Sequence, residues 1–155
     1  MTPIYRICQY ISKEKVIVRF IFNLEPVSQA RPRISRYPYL HEYDTKEVKA
    51  FKENVNLMAQ KMMQEHKLAP FDGSLEVRVV FYRPVQKSIS KIEHARRVRG
   101  SVLPSVKSDL DNYIKSFFDG CNGAIWKDDN LITDLHAVKR YSDEPRIELE
   151  VLQLG

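Results

Sequence analysis

Lys107 to Asp129 reads K-S-D-L-D-N-Y-I-K-S-F-F-D-G-C-N-G-A-I-W-K-D-D. Leu110, Tyr113, Ile114, Phe117 and Phe118 recur at helical spacing, which predicts an amphipathic helix from about Asp109 to Cys121 with one apolar stripe on a core. Acidic pairs stand at both ends, Asp109 with Asp111 before it and Asp128 with Asp129 after it. Asp111 and Lys115 are four apart and share a polar edge, while Asp109 sits at the mouth of the helix. The second pair follows Trp126-Lys127 in a loop position, from which one of its carboxylates can turn toward the first pair. Converged, the pairs make an oxygen-rich cage suited to Mg²⁺, which prefers a few carboxylates together with substrate phosphates. The spacing also allows a plainer use. Ser108 and Asp111 fit the S-x-x-D capping box, first-turn acids favour the helix dipole, and Asp128-Asp129-Asn130 suits a solvated turn.

Outward from this helix the chain alternates strands and helices. Val16–Leu24 is dense in β-branched and aromatic residues and predicts an interior strand. From Thr45, the residues Val48, Phe51, Val55, Met58, Ala59, Met62 and Met63 keep helical spacing, so a helix ending near His66 places its Met stripe in the core. Leu75–Tyr82 alternates as a half-buried strand that stops before Pro84. Leu131–Tyr141 and Arg146–Leu152 read as strands, and Ser142-Asp143-Glu144-Pro145 between them predicts a hairpin. Ser90 to Arg97 has the pattern of a short helix within a basic segment that Gly100 and Pro104 interrupt.

With 155 residues and 43% hydrophobic content, the chain can bury one core. The expectation is one α+β domain over residues 1–155, a mixed sheet of about four strands packed against two main helices. Residues 1–14 are expected as an N-terminal extension and residues 84–107 as a basic loop, mobile without ligand. No apolar run reaches the roughly 18 residues of a membrane span, and no signal-peptide pattern opens the sequence, so a cytoplasmic protein without membrane association is expected. Cys8 and Cys121 lie far apart without zinc-ligand spacing, and both are expected to pack rather than ligate. Four histidines, His41, His66, His94 and His136, show no useful spacing and receive no role.

Charge divides sharply along the chain. Residues 83–107 carry seven basic residues against Glu93 alone, whereas residues 108–155 carry five basic and ten acidic residues. A polyanion-binding arm thus abuts an acidic, metal-seeking part. A second basic stretch, Arg31, Arg33 and Arg36 interleaved with Tyr37 and Tyr39, suits contact with a nucleic-acid backbone or stacking on an exposed base.

The elements D-L-D-N-Y-I-K (109–115), F-F-D-G (117–120) and W-K-D-D-N (126–130) resemble the signature of the RusA family of Holliday junction resolvases. That signature reads approximately D-x-D-N-x-x-K, then D-A-L, then an apolar residue and D-D. Gln29-Ala30-Arg31-Pro32-Arg33 resembles the Arg-Pro-Arg element of many Gram-positive and phage members, and Lys87-Ser88-Ile89-Ser90-Lys91 their K-S-x-S-K stretch, so the likeness covers most of residues 20–150. The resemblance implies a RusA-like fold and a crossover junction endodeoxyribonuclease, a homodimer that resolves four-way junctions by paired symmetric nicks in DNA recombination and repair. It implies Mg²⁺ as cofactor, replaceable by Mn²⁺, with no small-molecule cofactor, in a bacterial, prophage or phage-infected setting. Carried over by motif, the metal ligands are Asp109, Asp111 and Asp129, with Asp128 as the paired acid, and the catalytic lysine is Lys115. Arg31, Arg33, Arg36, Lys87, Lys91, Arg96, Arg97 and Lys107 are the candidate DNA contacts. Two other classes fit the residues: a metal nuclease acting on flaps or forks, and a non-catalytic DNA-binding module whose acids are structural.

Overall fold

The computed structural model describes residues 3–13 and 15–155. The described elements are β1 (Tyr5–Ser12), β2 (Lys15–Phe22), β3 (Arg33–Ser35), β4 (His41–Tyr43), α1 (Lys46–Glu65), β5 (Leu75–Arg83), α2 (Lys91–Val98), α3 (Leu110–Cys121), β6 (Ile132–Tyr141) and β7 (Arg146–Gln153). A five-stranded mixed sheet has the order β1-β2-β7-β5-β6, and β3 and β4 form a separate two-stranded hairpin.

Alternation in the strands builds the core in rows. Val18, Val151 and Val77 lie side by side across β2, β7 and β5, followed by Phe20, Leu149 and Val79 and then by Phe22, Ile147 and Phe81. All of these are buried, and α1 and α3 cover this face through Phe51, Val55, Met62, Tyr113 and Phe117. Each fully buried large apolar side chain contributes about 1.5–3 kcal/mol. The other face carries the intervening residues, including the pair Arg19–Glu148 at 3.1 Å and Arg146–Glu148 at 3.0 Å.

Helix α1 begins where the sequence places it. Thr45 caps it by accepting from the Val48 amide, and His66 closes it. Its methionines are core: Met62 is fully buried, with Met58 and Met63 nearly so. Helix α1 then packs closely on α3 at Gly120. A Cβ there would stand 2.8 Å from Val55 Cγ1 and 3.2 Å from the Lys52 carbonyl oxygen. Asn56 reinforces the contact by donating to the carbonyls of Gly120 at 2.9 Å and Asn122 at 3.2 Å.

Two expectations change. Residues 5–12, expected inside an N-terminal extension, form the edge strand β1, paired with β2 from Tyr5↔Phe22 to Ser12↔Lys15. The strands β6 and β7 do not form a hairpin. β5 lies between them, parallel to β6 and antiparallel to β7, and the Ser142 amide donates to the Arg83 carbonyl as the connection passes the end of β5. The buried alternating rows of β5 match those of β7, Val77 with Val151, Val79 with Leu149 and Phe81 with Ile147, whereas β6 buries little and takes the edge, and this outweighs the local turn signal. The short helix expected from Ser90 to Arg97 is α2, within the basic segment 84–107 and capped by Ser90 accepting from the Glu93 amide.

Candidate active site

The start of α3 is set by backbone, not by a capping box. The N-cap residue is Asp109 rather than Ser108, and its carboxylate makes no capping hydrogen bond. The expected Ser108–Asp111 box is therefore not formed: Ser108 lies one residue too early to reach the first amides. Asp109 and Asp111 both stand exposed, and neither belongs to an ion pair among the described residues. Lys139 on β6 holds the approach to the helix, its Nζ donating to the carbonyls of Val106 at 2.9 Å and Ser108 at 2.8 Å. Arg83 at the end of β5 donates to the Lys107 carbonyl. The first acidic pair is thus carried by a fixed helix end while its carboxylates stay free of protein cations.

The second pair is held from the other side. Trp126 is fully buried and its indole N–H donates to Asn122 Oδ1 at 2.7 Å. The Lys127 amide donates to the Phe71 carbonyl at 3.0 Å and the Phe71 amide to the Ile125 carbonyl at 2.8 Å. This lacing delivers Asp128 and Asp129 at a short 3₁₀ turn, Asp129–Leu131, that leads into β6. Asp129 is half-buried, and its carboxyl is pushed above the ordinary aspartate value first by burial and then by the hydrogen bond and negative charge of Asp128, with Asp119 adding to the repulsion and Asn122 opposing it.

Between the pairs runs a ridge of α3. Asp111, Lys115 and Asp119 are spaced four apart on it, and Lys115 Nζ lies 3.7 Å from Asp119 Oδ2. The same oxygen is 3.1 Å from Lys52 Nζ of α1, and Lys52 also reaches Asp44 Oδ2 at 2.8 Å. Asp44 in turn accepts from the Gln29 side chain at 2.9 Å, and the Gln29 amide donates to the Asn112 carbonyl at 3.0 Å. The Lys52 hydrogen bond, followed by that from Gln29, holds the Asp44 carboxyl below its usual value. For Lys52, burial acts to lower the ammonium's value, but the bonds to Asp44 and Asp119 outweigh it and raise the value.

Asp119, Lys52, Asp44 and Gln29 were not singled out from the sequence as functional. Asp119 had a signal, the 111-115-119 spacing. Lys52 had none, because its place beside α3 follows from Gly120 packing on Val55.

The predicted ligands are not drawn into one closed cage: among the described residues no three His, Cys, Asp or Glu side chains sit together at ligating distance. Asp129 neighbours Asp128, Asp119 and Asn122, whereas Asp111 precedes Asp119 by eight residues, about 12 Å along the helix. In donor chemistry the set fits a hard divalent cation. Its donors are all carboxylate oxygens, Asp109 and Asp111 have no lysine or arginine partner among the described residues, and Asp129 is already crowded by like charge.

The candidate DNA contacts fall on two surfaces. Arg31, Arg33 and Arg36 are exposed on the arm that the β3–β4 hairpin builds, together with Tyr37 (86% exposed), Tyr39 and Leu40 at its tip. Gln29 and Asp44, joined to each other, mark the two roots of this arm. Lys87, Lys91 and Lys107 are exposed around α2. Arg96 is paired with Glu93 at 3.0 Å, and Arg97 is turned inward: it donates to Glu93, Gln86 and the Tyr141 hydroxyl, with its guanidinium 5.2 Å from the Tyr141 ring centre. Arg97 therefore anchors α2 to the end of β6. No helix among the described residues is long and apolar enough to cross a membrane.

The family profile described as Endodeoxyribonuclease RusA matches residues 23–152. A Bacillus subtilis (strain 168) protein, "Uncharacterized protein YqaN", is 36% identical over 141 residues, which cover 89% of this chain and 97% of that protein.

Proposed function

Because the chain belongs to the RusA family of endodeoxyribonucleases, we propose that it is a divalent-metal-dependent nuclease that resolves four-way DNA junctions by paired symmetric nicks in recombination and repair. The observation that carries this reading is the state of α3. Its first-turn acids are unengaged, its N-cap is not closed by a side chain, and Lys115, with 64% of its side chain exposed, points from the same ridge. Such a helix start presents amides and the positive end of its dipole to phosphate.

Asp109, Asp111 and Asp129 would hold the metal, with Asp128 beside them; Mg²⁺ is the expected ion and Mn²⁺ a substitute. The ion would supply Lewis-acid polarisation of a phosphoryl oxygen and a bound water of lowered pKa. Lys115 places its ammonium against the scissile phosphate and offsets the charge that grows on the phosphoryl oxygens as attack proceeds. Exposed Arg31, Arg33, Arg36, Lys87, Lys91 and Lys107 bind the flanking phosphates, which positions the strands without reading sequence. Arg96 adds to that surface by leaving its exposed pair with Glu93, a contact of small energetic weight. Arg97 supports it from beneath.

Two cuts in symmetric strands call for two sites related by a two-fold axis, so the working form is a homodimer. Light scattering that gives a monomer mass with junction DNA bound would refute the dimer.

Strand cleavage of a labelled four-way junction, beside linear duplex and flap DNA, with Mg²⁺ or with EDTA, tests the proposal. Paired junction cuts that require Mg²⁺ are expected. Preferential flap or fork cutting would shift the substrate to other branched DNA, and tight binding without cutting under any divalent metal would leave a DNA-binding module.

A further inference from the structure

Resting on the nuclease reading, we propose that Lys52 is a positioning residue that takes up the charge of Asp119 and so keeps Lys115 free for the scissile phosphate. Asp119 Oδ2 is shared by two lysines, at 3.1 Å from Lys52 and 3.7 Å from Lys115. The two differ in what else they can do. Lys52 is 20% exposed at its side chain and gripped on its other side by Asp44 at 2.8 Å, whereas Lys115 is 64% exposed and has the longer of the two contacts. Lys52 is therefore the fixed member and Lys115 the one able to leave.

The balance of charge gives the arrangement its purpose. Asp44, Asp119, Lys52 and Lys115 together are neutral. Without Lys52 the group carries one net negative charge beside Asp128 and Asp129, and Asp119 has Lys115 as its remaining cation. An ion pair strengthens when a competing cation is withdrawn. Lys115 would then be held against its own helix by Asp119. Lys52 also grips the root of the β3–β4 arm through Asp44, and Gln29 ties that root to the Asn112 carbonyl, so one ammonium sets both the arm and the lysine ridge against α3.

The test uses three variants of the full chain: Lys52→Met, which keeps the apolar stem without the charge, Lys52→Arg, and the double variant Lys52→Met/Asp119→Asn. Single-turnover cleavage of a junction in Mg²⁺, at protein concentrations that saturate the junction, should slow by about tenfold or more in Lys52→Met, since this loss falls on charge stabilisation in the transition state, while any loosening of the arm through Asp44 shows separately in junction Kd. Lys52→Arg should keep most of the rate. The double variant should recover most of what Lys52→Met loses, because removing the Asp119 charge removes the competitor for Lys115. A second readout does not depend on cutting: the rate of Lys115 acylation, followed by mass spectrometry, should fall in Lys52→Met and return in the double variant. A double variant as slow as Lys52→Met, or a Lys115 reactivity unchanged by Lys52→Met, would overturn the proposal. A wild type that cuts no DNA with any divalent metal, while Lys115 reactivity follows the expected order, would refute the nuclease reading and leave the ion-pair exchange standing.

Discussion

Gly120 and Val55 compete for one volume: a Cβ on residue 120 would lie 2.8 Å from Val55 Cγ1 and 2.9 Å from its Cβ. Gly120→Ala is therefore expected to force α1 and α3 apart and to destabilise the fold by about 1–3 kcal/mol, the usual cost of overpacking a filled core. Urea unfolding reads this directly. Val55→Ala in the same background should recover part of the loss; no recovery would place the strain elsewhere.

If the proposed metal site is right, Asp109→Asn, Asp111→Asn and Asp129→Asn should each reduce cleavage by more than about a hundredfold, since each would remove an anionic ligand from the ion that would polarise the phosphoryl group. Junction binding should persist, because loss of negative charge near phosphates does not weaken attraction. Gel-shift titration beside cleavage separates the two. A variant that cuts normally is not a ligand, and one that fails to bind is not acting through the metal.

Arg31→Ala and Arg33→Ala should weaken DNA binding across sequences and reduce the salt dependence of log Kd by about one phosphate each. Arg97→Ala should behave differently. Its guanidinium is engaged with Glu93, Gln86 and Tyr141, so the expected result is a lower unfolding midpoint with an unchanged salt slope. Equal salt effects for Arg33 and Arg97 would mean that α2 reorganises on DNA.

Asp44 makes stability depend on acid pH. Its folded carboxyl titrates below the ordinary value because Lys52 and Gln29 hydrogen-bond its ionised form. The contribution is present above the unfolded carboxylate value and is lost as pH falls through the lower folded one. Asp44→Asn should therefore lose stability at pH 6 and differ less from wild type at pH 3, as followed by denaturant midpoints. A difference that does not shrink in acid would assign the effect to packing.

Much of this architecture was legible in local pattern. The Met and Phe spacing from Val48 to Met63 gave α1 with both ends, because Thr45 is a strong cap and the stripe is continuous. The same holds for α3, whose Phe117 and Phe118 are core. What local pattern missed was pairing over distance. β1 buries little of its surface, so its sequence carries only a faint alternation. The Ser142–Pro145 turn looked like a hairpin, yet β5, whose buried rows match those of β7, lies between β6 and β7. At the candidate site, the motif singles out the acids and Lys115 as candidates. Lys52 could not, because only the meeting of α1 with α3 brings it to Asp119.

The position of β7 has a consequence for how the chain reaches its native state. This strand comes last in sequence order, yet it fills the middle of the sheet, pairing Phe22 of β2 with Ile147 on one edge and Phe81 with Ile147 on the other. β2 and β5 therefore have no neighbour to join them until residues 146–153 arrive. Helix α1 and the β1–β2 ribbon can form early from neighbours in sequence, but closure of the sheet waits for contacts between distant segments, the class of contact that slows folding most. During synthesis β2 and β5 stay unjoined until β7 emerges, because the strand that links them is the last in the sequence.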